Sequence, residues 1–251
     1  MRGRRLRPAR VVSAPFSFAT SAVAPAQRLL TVSTPTAELI VDRLTELLLT
    51  QPVLYVLALA YLSGSVPYGF LMARTFANTD VREQGSGNIG ATNVARVVGK
   101  KMGLLTAFLD IFKGMLPALI VKFWAPTQTG LLKEEAFLLT AMVGAAAFIG
   151  HCFPVWLKFK GGKGVATGAG VIAVIDPTIF SMGALVFFMT FAATRMVSLS
   201  SIFGALALCI AVFALLPVDI SLSPLMLMLL ILIFKHRSNI SRILKKEEMA
   251  L

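Results

Sequence analysis

The chain has 251 residues, of which 57% are hydrophobic and 14% charged, where a soluble domain carries about a quarter charged residues. With a mean hydropathy of +0.80, so much apolar surface cannot hide in one water-soluble core and calls for a bilayer as solvent. The net charge of +12 sits in clusters between apolar runs, which suits loops facing anionic lipid or anionic substrates and argues against nucleic acid.

Residues 1–45 stand apart as an Arg/Ser/Ala-rich extension. Arg2, Arg4, Arg5, Arg7, Arg10 and Arg28 all precede the first acid, Glu38. There is no apolar stretch of secretory-signal type. The composition fits an organelle transit peptide and equally fits a disordered tail added by an upstream start codon. Residues 37–50 have the spacing of a short amphipathic lead-in helix. The domain proper is then 46–251.

The apolar runs at 52–74, 102–124, 134–154, 164–176, 178–195, 200–216 and 220–235 give an all-α integral membrane protein with about seven transmembrane helices. The fourth run is short, and Pro177 after Asp176 ends it in a turn; whether 164–195 crosses once or twice is left open. With seven spans, one side collects Arg74, Arg82, Arg96, Lys100, Lys101, Lys158, Lys160, Lys163, Arg195, Lys235, Arg237, Arg242, Lys245 and Lys246. The other holds Lys133 with Glu134 and Glu135, then Asp176 and Asp219. This is a positive-inside pattern that puts the basic, Gly-rich loops on the cytoplasmic face. Within span two, Asp110 and Lys113 share a helix face and read as a buried ion pair or as support for a pocket. Lys122, near the far end, is expected to snorkel.

Three polar segments fall on the basic side. The first runs from Arg82 to Arg96 and includes Ser86, Gly87, Asn88, Thr92 and Asn93. The second is His151-Cys-Phe-Pro154 followed by Lys158-Phe-Lys160-Gly161-Gly162-Lys163-Gly164. The third is Lys235-His236-Arg237-Ser-Asn239-Ile-Ser-Arg242. A short polar stretch, Val197-Ser198, opens the sixth span. Glycines let backbone N–H groups approach a phosphate, and lysine and arginine neutralise it. Together they point to a site for phosphorylated molecules.

Other motif matches fail on context. Gly85-Ser-Gly87-Asn-Ile-Gly90 has dinucleotide spacing but follows an apolar span and no strand. Gly162-Lys163 lacks the first glycine and the Ser/Thr of a phosphate-binding P-loop. Asn239-Ile-Ser241 matches a glycosylation sequon on the wrong side. Cys152 and Cys209 have no metal or redox spacing and read as reduced thiols. His151 and His236 are too few for a typical metal site, and neither is followed by aspartate at the spacing of the HxxxxD acyltransferases. No metal and no cofactor are expected. A transporter of a phosphorylated solute would suit the intramembrane charges, but it would want polar groups on both sides. A scaffold subunit would have no need of Ser86, Arg96 or Lys163.

The segment Ser86-Gly-Asn-Ile-Gly-Ala-Thr-Asn93 with Gly99-Lys-Lys101 and Asp110 to Gly114, the segment Gly150 to Thr167, and the segment His236 to Arg242 ending in Glu247-Glu248 resemble the three signatures of the acyl-phosphate:glycerol-3-phosphate acyltransferases, over about 50–248. The resemblance implies a seven-helix membrane enzyme that moves a fatty acyl group from acyl phosphate to the sn-1 hydroxyl of glycerol 3-phosphate, giving lysophosphatidic acid and phosphate. It implies that Ser86, Arg96, Lys163, His236 and Asn239 contact the phosphorylated substrates and that Gly87, Asn88, Gly161, Gly162 and Ser198 shape the site. His236, Lys163 and Ser86 are then the catalytic candidates. The expected partners are the two substrates, membrane lipids and, through substrate supply, an enzyme that forms acyl phosphate. The expected location is the inner plasma membrane with the site towards the cytoplasm, or a plastid membrane if 1–45 is a transit peptide.

Overall fold

The computed structural model describes Asp42 and residues 51–250 other than Gly130 and Leu132. The expectations for 1–45 and for a lead-in helix at 37–50 lie outside the described residues. Among the described residues the regular structure is helical throughout.

Helices α1 (Gln51–Ser65) and α2 (Tyr68–Ala77) form one span interrupted at Val66 and Pro67, where proline offers no N–H to the helical ladder. A loop leads to the short α3 (Ala91–Val97). Then follow α4 (Lys100–Thr129), α5 (Lys133–Cys152), α6 (Val165–Ile175), α7 (Pro177–Thr194) and α8 (Val197–Leu215). After a 3-10 turn come α9 (Ser223–Lys235) and α10 (Arg237–Leu244), bent from each other by 49°. The bend falls where the apolar run of α9 meets Lys235-His236-Arg237 and the polar residues of α10 begin.

All seven apolar segments contain helix, but among the described residues only five helical stretches are long and apolar enough to cross by themselves: Pro52–Ala77, Lys100–Trp124, Lys133–Leu157, Pro177–Thr194 and Val197–Leu215. The α9–α10 pair makes a sixth if counted as one. At 1.5 Å per residue α6 is about 16 Å long, half of a ~30 Å hydrocarbon core. The expected span at 164–176 is therefore a half-length helix, and 164–195 forms two separate helices. Their junction is well capped: the Asp176 carboxylate accepts from the Thr178 and Ile179 N–H groups at 2.7 and 3.0 Å with Pro177 in the first turn. Lys122 does not snorkel as expected. Its ammonium donates to the Val174 and Ile175 carbonyls, a cation at the C-terminus of α6.

Helix α5 is central, packed against α1, α4, α6 and α9. Its Ala141, Ala145 and Phe148 join Val171, Ile172, Ile179, Val212, Leu222 and Leu225 in the main apolar core. With lipid as apolar as leucine, such packing relies on close backbone approach at small residues. Gly114 on α4 and Gly170 on α6 show this. A Cβ on Gly114 would lie 2.3 Å from the Thr167 carbonyl oxygen, and one on Gly170 would lie 2.2 Å from that of Ile111. Alanine at either position would push the half-length helix off α4, and with it the loop that precedes α6.

Candidate active site

The loop from Asn78 to Gly90 is held from inside by one buried amide. The Asn93 Oδ1 accepts the Ser86 N–H at 2.8 Å, and its Nδ2 donates to the Val81 and Gln84 carbonyls, both at 2.9 Å. The Asn88 Oδ1 accepts the Gly90 N–H at 2.8 Å. Ser86 and Asn88 are thus presented on a rigid loop, with Arg96 one helix face further on.

The second loop is anchored to the end of α5. The Gly162 N–H donates to the His151 carbonyl at 3.1 Å, and the His151 ring lies so close to Gly162 that a Cβ there would meet Nε2 at 2.1 Å. The other ring nitrogen, Nδ1, is 3.5 Å from Asp110, which pairs with Lys113 at 2.9 Å. The expected Asp110–Lys113 ion pair is present, and His151 joins it from another span. Lys113 also donates to the Val66 carbonyl at 2.8 Å. Gly164 has φ 84 and no room for a side chain, since a Cβ would sit 2.2 Å from the Phe148 ring. Only glycine turns the chain there from Lys163 into α6.

The third cluster is built around a carboxylate. The Glu248 Oε1 accepts from the Ser198 hydroxyl at 2.7 Å and the Asn239 Nδ2 at 2.6 Å, while Oε2 takes the Arg242 Nε at 2.7 Å. Arg96 donates to the Met249 and Ala250 carbonyls at 3.1 and 3.3 Å, tying the chain end to the first loop. Burial works against the charge on Glu248, but the hydrogen bonds from Ser198, Arg242 and Asn239, with the Arg242 charge, together outweigh it and hold the carboxyl below the usual range.

These parts face one cavity of about 650 Å3. Its polar end is lined by Ser86, Asn88, Arg96, Asp110, Lys163, Ser198, His236, Asn239, Arg242 and Glu248. The rest of its lining is mostly apolar and comes from α4, α6, α7, α8 and α9, with Phe148 of α5. Burial pushes the Lys163 ammonium down to about 8, helped by Arg242 and Arg96 and opposed by Glu248. His236 is 1% exposed. Its Nδ1 lies 2.8 Å from the Leu232 carbonyl, so the neutral ring donates there and keeps Nε2 as an acceptor. Burial pushes this imidazole down to about 4. The first-turn N–H groups of α6, which have no carbonyl partner within the helix, add partial positive charge beside Lys163.

Of the expected site residues, seven face the cavity: Ser86, Asn88, Arg96, Lys163, Ser198, His236 and Asn239. Gly87, Gly161 and Gly162 do not line it. Gly87 closes a turn onto the Gln84 carbonyl, and Gly161 and Gly162 pack behind it on Pro154 and His151. Asn239, the sequon residue, is buried and bonded to Glu248. Sequence reasoning assigned no role to Glu248 or Asn93. Both lie within the signature segments, Asn93 as a costly polar residue among small ones and Glu248 at the end of the third.

A family model for glycerol-3-phosphate acyltransferase matches residues 54–246. The glycerol-3-phosphate acyltransferase of Anaeromyxobacter sp. (strain Fw109-5) is 41% identical over 197 residues, 78% of this chain and 94% of the relative. That of Staphylococcus carnosus (strain TM300) is 42% identical over 197 residues, 78% and 96% of the two chains. Two crystal structures of PlsY, an integral membrane glycerol 3-phosphate acyltransferase, are also similar. The glycerol 3-phosphate form has a TM-score of 0.71 and 37% identity, covering 80% of this chain and 96% of that one. The lysophosphatidic acid form has a TM-score of 0.68 and 36% identity, covering 80% and 95%. With its signature loops converging on one cavity and a match over most of its length, this chain belongs to the glycerol-3-phosphate acyltransferase family of integral membrane proteins.

Proposed function

We propose that the chain transfers a fatty acyl group from acyl phosphate to the sn-1 hydroxyl of glycerol 3-phosphate, releasing lysophosphatidic acid and inorganic phosphate. The observation that carries this reading is the division of one cavity into a cationic end and a long apolar remainder. An amphiphilic anion fits such a space, with its phosphate at Arg96 and Lys163 and its tail among the helices. Bidentate arginine and a lysine point charge are the usual means of holding phosphate.

The donor is a mixed anhydride and needs no covalent enzyme intermediate. The glycerol oxygen attacks the acyl carbon, a carbon–oxygen ester bond forms, and the bond from that carbon to the phosphate oxygen breaks. Lys163 and Arg96 neutralise the departing phosphate, and backbone N–H groups beside Lys163 steady the developing oxyanion. Most of the acceleration comes from holding both anions in register. The hydroxyl proton passes to the leaving phosphate. A phosphate group titrates near 6, well above His236 at about 4, so the imidazole is the weaker base and serves as an acceptor that orients the hydroxyl. His236→Ala is then expected to raise KM for glycerol 3-phosphate more than it lowers kcat. A collapse of kcat at unchanged KM would make the histidine the base.

The basic end faces the cytoplasm, by the charge asymmetry of the loops. Because acyl phosphate is reactive, an enzyme that makes it must supply it close by. The test is turnover by the purified full chain in detergent with palmitoyl phosphate or palmitoyl-CoA as donor. Equal release of phosphate and lysophosphatidic acid from the first, and none from the second, supports the reading. Turnover with the thioester alone would overturn the donor assignment.

A further inference from the structure

The apolar part of the cavity has a floor. Helix α8 faces the cavity from Val197 at the polar end down to Val212, about 22 Å at 1.5 Å per residue. Helix α9 faces it from the His236 end down to Leu225, about 16 Å by the same rise. At that depth Phe180 of α7 also lines it. Val212 and Leu225 are 3% and 4% exposed, and they belong to the packed core together with Ile179 and Leu222. One leaflet fills about 15 Å, half of a ~30 Å hydrocarbon core. At about 16–22 Å by these two measures, the groove is therefore deep enough for an acyl chain that spans one leaflet of about 15 Å, and it ends against packed side chains.

The groove also has a side opening, confined to its upper part. Helices α4 and α7 both face the cavity there and pack on each other sparsely at most, and Leu104 and Phe188 at this gap are 74% and 65% exposed. Helix α6 packs on α7, α7 on α8 and α8 on α9, while α5 packs on both α6 and α9, so these five helices form a ring around the groove. A chain that enters through the gap and turns down the groove meets the floor. A chain that lies out through the gap meets only lipid, where length carries no discrimination because lipid and groove are equally apolar.

We propose that the floor formed by Phe180, Val212 and Leu225 sets acyl-chain selectivity, favouring chains of membrane length over shorter ones and stopping longer ones. This rests on the acyltransferase reading above. Selection arises from packing: a chain too short leaves a void and forfeits contacts, and a chain too long must displace side chains in a close-packed core.

The experiment is donor competition by the full-length protein, with lauroyl, palmitoyl and stearoyl chains offered together and products separated by mass. Acyl phosphates and acyl-CoAs run in parallel series. In Val212→Phe the palmitoyl-to-lauroyl ratio of kcat/KM is expected to fall by roughly fivefold to a hundredfold, the range for overpacking a core. Val212→Ala shortens the floor without overpacking it and reads the opposite direction, a several-fold rise in stearoyl over palmitoyl. Ratios unchanged in both variants would overturn the proposal and place the tail out through the α4–α7 gap. Turnover from the thioester series alone would sink the donor assignment while still reading chain length. No turnover of either donor by the unaltered chain would overturn both.

Discussion

Two polar clusters meet at the head of the cavity, and they are held together by different physics. The Ser86 loop is organised by a neutral amide, Asn93, whose bonds all go to backbone groups. The cluster of Ser198, Asn239 and Arg242 is organised by a charge, the Glu248 carboxylate, with the Lys163 ammonium close enough to feel it. The first is part of the folded interior and is indifferent to pH and salt. The second balances cations against one carboxylate in a space where a doubly charged substrate must also be held. The difference separates residues whose loss unfolds the site from residues whose loss leaves it standing but unable to hold its anions.

The sharpest way to break the comparison is to delete the central cation. Lys163→Ala is expected to lower kcat/KM by about a hundredfold or more, the scale of losing a group aimed at developing charge, with the thermal midpoint in detergent little changed. A large drop in that midpoint would move Lys163 into the structural class. Asn93→Ala should do the reverse. It leaves the Val81 and Gln84 carbonyls and the Ser86 N–H without their partner, at about 2–4 kcal/mol of stability, so the unfolding midpoint should fall steeply and activity with it. An unaltered midpoint would show that water replaces the amide and the loop is not held as described.

Glu248→Gln keeps the shape and removes the charge. Hydrogen bonds to ionised groups contribute about 1.5–3 kcal/mol, so KM for glycerol 3-phosphate should rise about tenfold as Arg242 loses its charged partner and Asn239 and Ser198 are left with at most a neutral amide oxygen. A fall in KM would show instead that the carboxylate competes with the substrate for those donors. The smallest effect is on the pH profile. Lys163 in the free protein titrates at about 8, below its usual 10.5, so it is charged below that pH and neutral above it. KM should therefore climb several-fold as pH rises through 8 to 9, and in Lys163→Arg, which stays charged throughout, the alkaline limb should vanish. A limb that survives in the arginine variant belongs to another group.

Much of this was legible from the order of the residues. Hydropathy marked the apolar helices but neither the break at Val66 and Pro67 nor the short α3 and α10, and the resemblance to the acyltransferase signatures marked Ser86, Arg96, Lys163, His236 and Asn239 as a set. What hydropathy cannot say is how far a short apolar run reaches. The run at 164–176 has span composition, yet the Asp176 cap and Pro177 stop it at half length. Contacts between spans were equally hidden. His151 and Asp110 lie on different helices, and their approach follows from how α4 and α5 pack. Lys122 had two physically sound options, lipid headgroups or a helix C-terminus, and only the position of α6 decides for the Val174 and Ile175 carbonyls. Glu248 sits among Lys245, Lys246 and Glu247 as one charge in a tail, and its place in the cavity depends on the chain folding back over Arg96.

The central claim is that the glycerol oxygen attacks the acyl carbon of the donor and displaces intact phosphate. It is tested most directly by giving the full-length protein palmitoyl phosphate and glycerol 3-phosphate carrying isotopically heavy oxygen in the sn-1 hydroxyl, then weighing both products. Heavy oxygen retained in the ester of lysophosphatidic acid, with phosphate released at its original mass, is the expected result. Heavy oxygen carried into a phosphorylated glycerol, with free palmitate and no ester, would mean that the phosphorus is attacked instead and would contradict the account.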